Sequence, residues 1–215
     1  MKDDLPKIII KYNRLLDPIF TFYCQNNPGL KKLGWNDWQP PSEKTVLERI
    51  KQYEREWRKY EKKILTGICT ATGLGFSVDR VYAHIVSGNP RQISHPLVIK
   101  SGFIPSEFVN VLTHELIHQI FVFNNSDKNI YKQKYINGEI MTVKRHVIVH
   151  AIMKYIFLDI LNEPARLKTS IESAEKHSSD DYIRAWAIVE TIGYKKIIND
   201  LKNNSHPVFR KLSGS

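Results

Sequence analysis

Three residues in the middle of the chain, His114, Glu115 and His118, stand at a spacing that can build a metal site. On a helix, residues four apart lie one turn apart on one face, so both imidazoles can reach a single Zn²⁺. Glu115 is then turned about 100° from His114 and sits beside the metal, not on it. A carboxylate there can take a proton from zinc-bound water, whose pKa the ion lowers to about 7. Val109, Leu112, Leu116, Ile120 and Phe123 form one apolar stripe of the same helix, with His114 and His118 on the opposite side. Two histidines turned away from the core stripe suit the floor of a cleft. The plainer alternative is two surface or core histidines on an ordinary helix.

The flanks of this motif are uncharged: Val111-Leu112-Thr113 precede it and Gln119-Ile120 follow. Over these ten residues, Val111 to Ile120, the chain resembles the zincin metallopeptidases. The resemblance implies a zinc-dependent peptidase with one Zn²⁺ per chain, a peptide or protein substrate, and Glu115 as the residue that activates water. Catalytic zinc takes three protein ligands and keeps one position open. The metzincin extension requires Gly at 121 and His at 124, where this chain has Phe121 and Asn124. The gluzincin branch takes its third ligand from a Glu on the next helix, and Glu139, 21 residues past His118, fits that position. The acid that often follows such a ligand by four residues is absent, since Val143 stands there.

Rivals lie on the same segment. Glu139, Val143, His146 and His150 share one helical stripe. His146 or His150 could complete a three-histidine site. Either could instead orient water, bind a developing oxyanion or hold a substrate carboxyl group; the bland reading is a core histidine with satisfied ring nitrogens. Glu190, among apolar neighbours, is either a substitute ligand or a structural acid paired with a base such as Arg184. Tyr82, Tyr131, Tyr135 and Tyr194 are candidate oxyanion donors with nothing to choose between them. The resemblance further places extended substrate along the last strand before the motif helix, here at Val98 and Ile99, by addition to its backbone. An ordinary edge strand is the alternative.

The elements that must position these groups follow from periodicity. Residues 7–24 are apolar and aromatic and predict a helix; residues 43–66 repeat apolar positions at helical spacing and predict one long amphipathic helix. Residues 76–86 alternate and are β-branched, and 96–100 form a short second run, so two strands are expected. The motif helix runs from about 106 to 123 and a further helix covers 138–161. Pro164 closes that region. A last helix at about 180–202 has Ser178 and Ser179 as cap candidates. This order predicts an α+β class, which the resemblance implies is zincin-like: N-terminal helices, a small β-sheet, the motif helix, then C-terminal helices. One domain spans 1–215, with an N-terminal extension at 1–42, the catalytic core at 43–161 and a helical segment at 165–215.

Composition bounds the rest. Hydrophobic residues make up 42% of 215, enough for a sizeable core. The two cysteines, Cys24 and Cys69, lack the spacing of a cysteine-based zinc site or a disulfide framework. The net charge of +10 favours acidic partners. It supports a second reading, a non-catalytic basic zincin-like protein associated with nucleic acid. Yet the densest basic stretch, Glu54 to Lys63, interleaves acids and reads as a solvated helix face. The apolar segment Val147 to Leu161 carries His150, Lys154 and Asp159, and is too short and polar to span a bilayer. The first residues lack the apolar run of a signal peptide. A cytoplasmic protein with no membrane partner is expected.

Overall fold

A computed structural model describes residues 5–35, 37–89, 91–124, 128–177 and 180–204. The class is α+β, 66% helical, with one small mixed sheet. Four strands, β1 (Lys7–Tyr12), β2 (Arg80–Val86), β3 (Ile93–Ser94) and β4 (Leu97–Lys100), stand in the order β1-β2-β4-β3. β1 and β4 run parallel to β2, while β3 is antiparallel to β4. The helices are α1 (Asp17–Asn26), α2 (Pro28–Leu30), α3 (Glu43–Arg58), α4 (Glu61–Thr72), α5 (Pro105–Phe123), α6 (Met141–Tyr155), α7 (Pro164–His177), α8 (Asp180–Ile192) and α9 (Tyr194–Asn204). No helix among the described residues is long and apolar enough to cross a membrane.

The chain divides into two compact units. The first holds the residues up to Glu61 together with Val78–Leu116, and the second holds Lys62–Ser77 and the residues from Ile117 onward. In the first unit, β1 and β2 bury Ile8, Ile10, Val81, Ala83 and Ile85 on one face. Asp17 ties α1 to this sheet: its carboxylate accepts from the Tyr12 hydroxyl at 2.6 Å, the Ser87 hydroxyl at 3.0 Å and the Ser87 N–H. Tyr53 of α3 is fully buried, stacks on Phe108 and places its hydroxyl 2.7 Å from the carbonyls of Ser101 and Phe103. Those contacts fix the turn that launches α5.

In the second unit, α6 is buried on nearly every side. Val143, Val147 and Ala151 pack with Ile136, Ala185, Ile188, Val189 and Ile197. Gly67 lets α4 approach closely, because a Cβ there would meet Ile156 Cγ1 at 3.2 Å. Asn124 donates to the Gly75 carbonyl at 2.9 Å, which holds the end of α5 against the loop after α4.

Several elements differ from the sequence-based expectation. Residues 7–24 are a strand followed by a helix: Ile8 and Ile10 alternate inward while Lys7 and Lys11 face out, a period of two that the β-branched run favours. The helix expected over 43–66 breaks after Arg58, where the Tyr60 N–H turns back to the Trp57 carbonyl. Within the helical segment expected over 165–215, residues 164–177 form a separate helix ahead of the one placed at 180–202. Asn162, at φ 55, ends the preceding turn, and Pro164 takes the first helical position, where its missing N–H costs nothing. Ser178, Ser179 and the turn residue Pro90 lie outside the described residues.

The expectation for Val98 and Ile99 is also corrected. β4 is an interior strand, flanked by β2 and β3, so it offers no free edge there. Both side chains are fully buried, with Val98 paired to His84 and Ile93 and Ile99 to Ile85.

Candidate metal centre

α5 carries the motif as one unbroken helix. Its apolar stripe is buried: Val109, Leu112, Leu116 and Ile120 have no exposed surface. That burial sets the rotation of the helix and leaves His114 and His118 partly exposed on another face. The division between the two units falls between Leu116 and Ile117. His114 and His118 are therefore spaced by a single helix, and His118 meets His146 of α6 inside the second unit, with ring centroids 5.1 Å apart.

Ligand nitrogens of His114, His118 and His146 all lie within 4.8 Å of one another, a group able to hold a metal ion. His146 is buried, and its Nδ1–H donates to the Thr142 carbonyl at 2.7 Å. That bond fixes the tautomer and leaves Nε2 as the nitrogen for a ligand, the arrangement that commonly orients metal-bound imidazoles. Burial, then the neighbouring His146 and Arg145, pulls the pKa of His118 down to about 3. Burial likewise lowers His146, with the Thr142 carbonyl working against it. His150 is held well below its ordinary value by burial and by His146 and His118. All three shifts favour neutral imidazole, the form that binds metal.

Glu115 is 6% exposed and accepts a hydrogen bond from the Ser94 hydroxyl of β3 at 2.5 Å. Burial raises its pKa to about 7, and the Ser94 bond offsets part of that rise. A carboxyl group with a pKa near neutrality is matched to proton transfer at neutral pH.

Behind His146 lies an aromatic wall. The Tyr182 ring of α8 is 4.0 Å from that of His146, and His150 stacks on Trp186 at 4.0 Å with 10° between planes. His150 is 2% exposed, so the structure sets it as a packing neighbour of His146. A direct hold on substrate would require an accessible ring.

Glu139 is not in the group. α6 begins at Met141, and Glu139 precedes it on the turn that follows Gly138 at φ 83. Its carboxylate receives the Arg184 guanidinium through Nη2 at 2.7 Å and Nε at 3.0 Å. Val143, His146 and His150 share a buried face of α6, whereas Glu139, expected on the same stripe, lies ahead of the helix. Glu190 is exposed and pairs with Lys154, so Arg184 and Glu190 have partners other than each other.

Sequence reasoning missed Ser94, Tyr182 and Trp186. β3 is two residues long and carries no periodic signal. Tyr182 and Trp186 stand four apart on α8, a spacing visible in the sequence, but nothing there says that this face meets His146 and His150. No protein-family model, curated protein or solved structure matches the chain.

Proposed function

We propose that this chain is a zinc-dependent metallohydrolase of zincin-like design, acting on peptide bonds. The observation that carries the reading is the group of three histidine nitrogens within 4.8 Å, with the buried Glu115 next to His114 in sequence. The donor set fits a borderline divalent cation: three imidazoles, no thiolate, and burial that lowers the pKa of His118 and His146 and so favours their neutral rings. His114, His118 and His146 would hold the ion, in place of the expected Glu139. When bound, Zn²⁺ supplies Lewis-acid polarisation and a nucleophile at neutral pH.

The chain's own residues do the rest. Glu115 accepts the proton of the attacking water at a carboxylate oxygen and returns it to the departing amine. The Ser94 hydroxyl holds the carboxylate of Glu115 in place. Thr142, through its carbonyl, keeps the His146 ring in its ligating tautomer. The uncharged flanks Val111 to Thr113 and Gln119-Ile120 support the zincin resemblance, and the small sheet preceding α5 is consistent with it.

Peptide hydrolysis by the zinc-loaded protein tests this, set beside Glu115→Gln. The variant should retain about one zinc per chain and lose activity by about 10²–10⁴-fold, the usual weight of a general base. Full activity in that variant, or hydrolysis untouched by a chelator, would overturn the reading.

A further inference from the structure

Cations far apart in sequence meet on the outward face of the first unit's sheet. The parallel register sets Lys7 beside Arg80, Ile9 beside Tyr82 and Lys11 beside His84. Residues paired in this way point to the same side of a sheet, opposite to the buried Ile8, Ile10, Val81 and Ala83. Lys7, Lys11 and Arg80 are exposed, and none forms an ion pair among the described residues. No acid stands at any of these six positions. Between the cations is Tyr82, 40% exposed, with Lys11 Nζ 4.3 Å from its ring centre. The His84 ring follows on the same strand, 6.2 Å away and within 12° of the Tyr82 plane.

We propose that this face of β1 and β2 binds single-stranded nucleic acid. Three unneutralised cations match a phosphate backbone, and an exposed aromatic ring among them offers a stacking surface for an unpaired base. A duplex keeps its base faces stacked inside and has no use for such a ring. A second copy of the chain is disfavoured by charge, since each carries +10. A lipid surface calls for exposed aliphatic side chains, and on this face Ile9 is half-buried. The proposal is independent of the metal centre.

The test is fluorescence anisotropy of a short labelled oligothymidylate with the full chain, titrated against salt. Binding should be retained in chelator. Tyr82→Ala should weaken it by about ten-fold, whereas Tyr82→Phe binds like the parent. Replacing Lys7, Lys11 and Arg80 together by Gln should lower the slope of log affinity against log salt by about two. Lys168, Lys195 and Lys202, changed to Gln as a control set, should leave affinity within two-fold or so, given ordinary screening. Thermal melting confirms that each variant is folded. The proposal is overturned by absence of binding at low salt, by preference for duplex or heparin over the single strand, by an unchanged Tyr82→Ala, or by an equal loss in the control set.

Discussion

At the residue scale, the question that the sequence left open was the third ligand. Glu139 and His146 are both within reach of a helix-borne motif by spacing alone, and only the start of α6 separates them. Glu139 falls two residues before that helix and is held by Arg184. His146 lies inside it, with Nδ1 engaged by the carbonyl one turn back. The two substitutions should therefore behave differently. His146→Ala should weaken zinc binding by more than the ~10–100-fold typical of losing an outer hydrogen-bond partner. Glu139→Ala, which removes an ion pair between an exposed Arg184 and a partly buried carboxylate, should leave zinc affinity unchanged and cost about 1 kcal/mol of stability. Competition with a colorimetric zinc chelator reads the first, and thermal melting reads the second.

At the element scale, legibility followed the length of the periodic pattern. α5 was readable because Val109, Leu112, Leu116 and Ile120 repeat over three turns and are buried as that repeat requires. β1 was misread because its short Ile-rich run is compatible with either period, and its parallel pairing with β2 joins residues more than seventy apart. β2 also carries a pH-sensitive contact. His84 accepts from the Asn13 side chain at Nδ1, and burial, helped by Lys11, keeps its pKa below the ordinary 6.5. The folded state thus favours the neutral ring. Its contribution to stability is full above about pH 6.5 and is lost as the pH falls below that value, because the unfolded chain takes up the proton first. The histidines of α5 and α6 whose pKa is lowered act in the same direction. His84→Asn should therefore flatten the acid side of the stability curve without abolishing its slope. Melting temperatures compared at pH 7.5 and pH 5 check this, and an identical fall in both proteins would contradict it.

At the scale of the whole molecule, composition set the net charge of +10, but not where the charge gathers. The stretch Glu54 to Lys63 is the densest basic run along the chain but interleaves acids, whereas Lys7, Lys11 and Arg80 come together only through strand register. The metal group has the same character: the helix spaces His114 and His118, and packing within the second unit brings His146 to His118. An ion that links α5 to α6 binds the folded state and not the unfolded one. At a hundred-fold excess over its dissociation constant it should add about 2.7 kcal/mol of stability. For a chain of this size that is a rise of roughly 5–10 °C in melting temperature on adding zinc. His146→Ala should show little of that rise; an equal rise in both proteins would place the ion elsewhere.

The most direct test of the central claim is anomalous diffraction at the zinc edge from crystals grown with zinc. One peak per chain is expected, bonded to nitrogens of His114, His118 and His146, with the Glu115 carboxylate beside it and unbonded. A peak ligated by Glu139, or no peak among these histidines, would contradict that claim.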